Sequence, residues 1–230
     1  INITFHKIQK FAEDILQKKI TPQKSTHFRN VLSLGMGGSA LGPQLIQSAL
    51  GSQKKSLQFY FIDNTDPEGM DRVIASIGKR LSETLVLVIS KSGGTLETRN
   101  SMIEVQEFYK LAGLDFASHA VAVTEENSRL AKIASHENWL ECFPIWDWVG
   151  GRTSIISAVG LLPTALLGEN ISSLLSGAEI MDKLTRNTKI MENPAAVLAW
   201  MLHHAGGGVG QKAMVILPYK DRLIYLSPYL

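Results

Sequence analysis

The sequence predicts an α/β fold, a three-layer αβα arrangement around a mostly parallel sheet. Four short apolar runs come first: Asn30 to Leu34, Leu57 to Ile62, Thr84 to Ile89 and His119 to Val123. Their Val, Ile, Phe and Tyr content suits strands buried on both faces. Helical spacing fills the intervals between them. Leu41, Leu45 and Ala49 recur one turn apart, and Met102, Val105, Tyr109 and Ala112 repeat at three and four. The alternation of the two patterns is the third observation, because a parallel pair needs a crossover helix.

Past Gly151 the pattern changes. Ser154 to Leu167, Ile171 to Thr185 and Pro194 to Ala205 read as helices, and Ala213 to Leu217 and Leu223 to Leu226 read as strands again. This divides the chain into a first α/β domain over residues 1–165 and, over 166–230, a helical connection into an incomplete second α/β unit. The absence of an initiator Met at Ile1 and the stop at Leu230 suggest a piece of something longer.

Composition narrows the function. Among 230 residues, 23 basic and 21 acidic side chains leave a net charge of +2, scattered along the chain. No dense positive face is predicted, so nucleic acid is not an expected partner. The single cysteine, Cys142, has no internal disulfide partner and reads as a reduced, buried thiol. The longest apolar stretch, Ile155 to Leu167, is too short for a membrane span and contains Pro163. Polar residues among the first ten argue against a signal peptide. A cytoplasmic location is expected, with a plastid as the alternative.

In open parallel sheets, ligands bind beyond the carboxyl ends of the strands. Three strand-to-helix loops there carry chemistry. The first, Gly35-Met36-Gly37-Gly38-Ser39-Ala40, brings backbone N–H groups close to an anion at a helix N-terminus. Ser39 adds a hydroxyl that could bind the anion or cap the helix. Gly35, Gly37 and Ala40 also satisfy a dinucleotide fingerprint, and Asp63 lies where it could hold a ribose. This loop alone therefore leaves a sugar phosphate, a dinucleotide and a plain turn all open.

The second loop, Ser90-Lys91-Ser92-Gly93-Gly94-Thr95, shifts the balance toward a phosphate. Ser90, Ser92 and Thr95 supply three hydroxyls, Gly93 and Gly94 expose backbone donors, and a helix starts near Leu96. Charge-assisted hydrogen bonds of roughly 1.5–3 kcal/mol each make a few enough to anchor a monophosphate. A dinucleotide fold needs no second hydroxyl-rich cradle; Lys91 could simply be solvated. The third loop, Gly150-Gly151-Arg152, places a permanently charged guanidinium after two glycines, suited to an oxyanion that develops during reaction. His203-His204 before Gly206 reads as a helix end, and no metal is expected. Trp139, Trp146 and Trp148 read as core or interface, and Asp66 and Glu97 as cap or ion-pair residues.

Together, in this order, these loops resemble the phosphoglucose isomerase family, whose first part is a sugar-isomerase (SIS) domain with a flavodoxin-like sheet. The likeness rests on Leu34 to Pro43, Ile62 to Pro67, Ser90 to Thr98 and Gly150 to Ser154, and on Leu217 to Leu223 with Ser227-Pro228-Tyr229-Leu230 near the end. It covers nearly all of this chain but only about half of a family member. Position by position, the resemblance assigns Ser90, Ser92 and Thr95 to the sugar phosphate, with Lys91 acting chiefly through its backbone. Gly38, Ser39 and Gly151 line the same pocket, and Arg152 steadies an enediolate. Thr153 departs from the aromatic that usually follows that arginine.

The resemblance also implies a reaction. Glucose 6-phosphate and fructose 6-phosphate interconvert through a cis-enediolate, in glycolysis and gluconeogenesis, with no metal or redox cofactor, in a homodimer. Its glutamate base comes just beyond the Ser-Pro-Tyr-Leu motif, and its ring-opening histidine and a lysine come later still. The chain itself is then expected to be inactive. A non-catalytic SIS module that senses a sugar phosphate is the alternative, and a nucleotide-dependent oxidoreductase a third reading.

Overall fold

The computed structural model describes residues 2–51 and 57–230. Five strands form one sheet: β1 (Asn30–Leu34), β2 (Gln58–Ile62), β3 (Thr84–Ser90), β4 (Ala120–Thr124) and β5 (Glu141–Pro144). Every pairing is parallel and the order is β2-β1-β3-β4-β5. This is the flavodoxin-like order, with its topological switch point between β1 and β3.

The three central strands are buried along their whole length, and their side chains divide by the period of two between the sheet's faces. Val31, Leu85, Leu87, Ile89, Val121 and Val123 face one way, against Ile8, Phe11 and Ile15 of α1 (Asn2–Leu16), Ile46 of α2 (Gly38–Leu50) and Leu162 and Leu166 of α6 (Ala158–Leu166). Leu32, Leu34, Val86, Val88, Ala120 and Ala122 face the other way. They meet Met70 of α3 (Pro67–Ile77), Met102, Val105 and Tyr109 of α4 (Leu96–Leu111), and Leu130 and Ala134 of α5 (Arg129–His136). Each fully buried aliphatic side chain contributes about 1.5–3 kcal/mol, so these two cores fix both layers of helices on the sheet. Beyond α6, Ile171 is the last fully buried side chain of the first core, with Leu174 and Leu175 half-buried against it. Then follow α7 (Ile171–Thr185), α8 (Pro194–Ala205) and a four-residue helix, α9 (Leu226–Tyr229).

The four strand runs and the helical stretches read from sequence all appear, with three differences. Ala213 to Leu217 and Leu223 to Leu226 are not strands. The first has no regular structure, and a 3₁₀ turn at Asp221–Leu223 leads into α9. Apolar composition alone does not make a strand: its backbone groups need a neighbouring strand, and Met214, Val215 and Leu217 are 60%, 72% and 68% exposed. The stretch Ser154 to Leu167 is two elements, a 3₁₀ turn (Ser154–Ile156) and α6. Ser157 divides them in an extended conformation, its hydroxyl accepting from the Val159 N–H at 3.3 Å. The edge strand β5 gave no sequence signal, being four residues long with Glu141 and Pro144 among them.

Beneath α4 lies a buried aromatic cluster with a titratable member. His119 sits edge-on to Phe28 and Tyr109 at 5.8 and 5.1 Å, and its Nδ1 pairs with the Thr84 carbonyl at 3.0 Å. Its Nε2 has no partner among the described residues. Burial pulls the imidazole below its ordinary 6.5, the Thr84 carbonyl and Asp115 opposing only in part. The unfolded chain therefore takes up this proton first, and stability is full above about pH 6.5 and falls as the pH drops through the folded value. Thermal midpoints measured from pH 7.5 to 5 are expected to fall, with a shallower slope in His119→Gln.

Candidate functional site

The loops after β1 and β3 leave neighbouring strands at the switch point, where consecutive crossovers diverge and open a crevice. Both lead directly into helices, α2 and α4, whose N-termini lack something that five other helices have. Asp66, Ser128, Ser157, Asn170 and Asn193 cap α3, α5, α6, α7 and α8, each with a side-chain oxygen accepting a first-turn N–H. Gly37 and Thr95, at the heads of α2 and α4, make no such bond. The first N–H groups of a helix have no partner one full turn back. In α2 the Ser39 and Ala40 N–H groups bond back to the Met36 and Gly37 carbonyls at 3.0 Å, which leaves that of Gly38, while the first N–H groups of α4 make no such bond among the described residues. Both ends carry partial positive charge.

Local chemistry explains each loop's shape. Gly37 is left-handed, at φ 53°, and Gly38 is pressed against the third loop: a Cβ there would lie 2.2 Å from the Gly151 carbonyl oxygen. Ser154 locks this approach, donating to the Gly151 carbonyl at 2.7 Å and lying 3.2 Å from that of Gly38. In the second loop Gly93 has φ 63°, and a Cβ on it would strike Ser128 and the Leu130 nitrogen. Ser90 is buried at the end of β3 and donates to the Thr95 hydroxyl at 3.1 Å. Ser92 accepts from the Gly94 N–H at 3.2 Å.

Lys91 is half-buried and tethered rather than free in solvent. Its ammonium donates to the Asp147 carbonyl and, at 3.0 Å, to that of Val149, with the Asp147 carboxylate 3.9 Å away. It ties the second loop to the third. Arg152 reaches the far end of the chain, donating from Nη1 to the Pro228 and Tyr229 carbonyls at 3.2 and 2.9 Å.

A cavity of about 300 Å³ opens among the three loops, lined by Met36, Gly38, Ser39, Lys91, Ser92, Thr95, Glu125 and Gly151. Six of the eight residues singled out from sequence are in that wall. Ser90 lies beneath it, supporting Thr95, and Arg152 follows Gly151 without lining it. Sequence reasoning missed Met36 and Glu125. Glu125 directly follows β4, the strand beside β3, and its N–H donates to the Lys91 carbonyl at 3.0 Å. The strand-end rule could have found it. An acidic residue in the wall of an anion cradle limits how much negative charge the cavity favours.

The remaining polar residues have local roles. Asp63 accepts from Gln44 at 2.8 Å and from Asn64 at 3.0 Å, so the carboxylate that could have held a ribose is already engaged. Asp66 caps α3 through the Gly69 N–H at 3.0 Å, while Glu97 stands in the first turn of α4. His203 and His204 end α8 ahead of Gly206. Among the described residues no three His, Cys, Asp or Glu side chains are grouped to hold a metal ion, and no helix is long and apolar enough to cross a membrane. Cys142 is half-buried, and desolvation pushes its thiol above its ordinary value. Trp139 is in the core, and Trp146 stacks on Trp148 at 5.5 Å and 4°, leaving Trp148 71% exposed.

An αβα sandwich with a parallel β2-β1-β3-β4-β5 sheet and two uncapped helices at its switch point has the architecture of the SIS class. Among solved structures, glucose-6-phosphate isomerase from Chlamydia trachomatis superposes on 99% of this chain with a TM-score of 0.85 and 28% identity, using 42% of its own length. A hypothetical protein from Thermus thermophilus superposes on 98%, with a TM-score of 0.79 and 27% identity, using 50% of its length. The model of the phosphoglucose isomerase family matches residues 1–230, and the chain belongs to that family. It is 54% identical over 230 residues to glucose-6-phosphate isomerase of Geotalea daltonii and 55% over 223 to that of Thermosynechococcus vestitus. It is 54% identical over 232 to the chloroplastic glucose-6-phosphate isomerase 1 of Arabidopsis thaliana. The chain spans 43%, 42% and 38% of those three proteins.

Proposed function

We propose that this chain carries the phosphate grip and the enediolate-stabilising arginine of a glucose-6-phosphate isomerase. The observation that carries the reading is the pair of uncapped helix ends, α2 and α4, facing one cavity whose wall also holds Ser39, Ser92 and Thr95. A phosphate monoester fits that donor set: backbone N–H groups and hydroxyls donate to its oxygens, and both helix dipoles favour its charge. Ser90 orients the Thr95 hydroxyl from below. Gly38 lets the first loop close on the third, where a Cβ would meet the Gly151 carbonyl.

The phosphate is then a handle remote from the reacting carbons, and its binding energy orients C1 and C2. A base takes the C2 proton of the open-chain aldose and returns it to C1, with a cis-enediolate between. Arg152 offers the fixed positive charge that an enediolate oxygen needs as it develops. Isomerisation belongs to the full-length protein, which supplies the base; we place it in the cytoplasm or a plastid, as a homodimer.

Calorimetric titration of the chain with fructose 6-phosphate and with inorganic phosphate tests the grip. Loss of one charge-assisted donor costs about 1.5–3 kcal/mol, so Ser92→Ala and Thr95→Ala should each weaken both ligands roughly 10- to 100-fold. Unchanged affinity in both variants would remove the second loop from the site.

A further inference from the structure

Tyr229 and Arg152, 77 residues apart, bond to each other reciprocally. The Tyr229 hydroxyl donates to the Arg152 carbonyl at 2.5 Å, while Arg152 Nη1 donates to the carbonyls of Pro228 and Tyr229. Those carbonyls end α9, where helix C-terminal acceptors have no partner within the helix. Because α9 packs against α2, the clasp fastens the third loop to the element that opens the first.

The bonding pattern also divides the guanidinium. Arginine has five N–H donors in a planar fork. Both hydrogens of Nη1 are committed to α9, and the three on Nε and Nη2 donate to no group among the described residues. That remaining edge is the one whose geometry matches two adjacent oxygens. Burial raises the Tyr229 phenol above its ordinary value, opposed in part by Arg152, so it remains a donor at neutral pH.

We infer that Tyr229 is a positioning residue for Arg152, holding its backbone while the guanidinium braces on α9 and keeps its Nε/Nη2 edge for substrate oxygens. This rests on the isomerase reading above. Tyr229 would act through Arg152 on the reacting oxygens rather than on the phosphate, so it should move kcat and leave KM nearly alone.

In the full-length protein, Tyr229→Phe is expected to lower kcat for fructose 6-phosphate about fivefold, the value of one hydrogen bond, with KM within twofold. In an Arg152→Ala background the same change should cost less than twofold, since the group it positions is gone. Equal losses in both backgrounds, or a loss confined to KM, would overturn the inference. A wild-type protein without isomerase activity would instead overturn the proposed function. The clasp is then judged by hydrogen exchange in the 230-residue chain, where Tyr229→Phe should speed exchange at Arg152 to Ser154 about fivefold, and unchanged exchange would overturn it.

Discussion

Arg152→Ala in the full-length protein is expected to lower kcat by roughly 10²–10³, the usual cost of removing one preorganised stabiliser of a developing oxyanion. KM for fructose 6-phosphate should change far less. The phosphate is held by the first two loops, and Arg152 is not in the cavity wall beside Ser92 and Thr95. The guanidinium is braced by two carbonyls of α9, so no reorganisation is needed as charge develops. Steady-state kinetics in both directions check this, and the two directions should lose equally because they share one enediolate. A variant that raises KM at unchanged kcat would make Arg152 a phosphate ligand. One with wild-type kinetics would remove it from the mechanism.

Gly38→Ala should have the next largest effect, through geometry alone. A Cβ at Gly38 would sit 2.2 Å from the Gly151 oxygen and 2.6 Å from its carbonyl carbon, both backbone atoms. Relief requires the first and third loops to separate by on the order of 1 Å, enough misplacement to cost about 10²-fold in a site built on their approach. Overpacking of this kind also destabilises by about 1–3 kcal/mol. Calorimetry should therefore find phosphate affinity reduced about 100-fold, and thermal midpoints should fall by roughly 2–4 °C for each kcal/mol lost. Gly177, in α7, is the control, because a Cβ there would meet nothing within 4 Å; Gly177→Ala should stabilise slightly and leave affinity alone. If both variants bind alike, the approach of Gly38 to Gly151 does not shape the site.

The sequence was informative where one residue's chemistry decides the outcome. Short apolar runs of five to seven residues identify β1, β3 and β4, because the strands of a parallel sheet are buried on both faces and are too short for helices. The glycines of the first two loops mark turns that need φ above zero at Gly37 and Gly93. Features set by distant partners were not legible. Ala213 to Leu217 has strand composition but no strand beside it, and the two ends of the Arg152–Tyr229 clasp lie 77 residues apart. Ser39 and Thr95 look like good helix caps, yet neither caps; only the three-dimensional comparison with Asp66, Ser128, Asn170 and Asn193 brings that out. Lys91 resembles any surface lysine until its ammonium is found on the third loop. Glu125 belongs to an acidic pair after a strand, which has no motif of its own.

The central claim is that one phosphate sits between the N-termini of α2 and α4, and backbone amide chemical shifts followed during titration with fructose 6-phosphate test it most directly. Saturable shifts concentrated at Gly38, Ser39, Ser92 to Thr95 and Gly151, reproduced in part by inorganic phosphate, are the predicted result. Shifts centred instead on the cavity between α3 and α4, lined by Thr65, Met70, Asn100 and Phe108, or no saturable shift at either place, would contradict it.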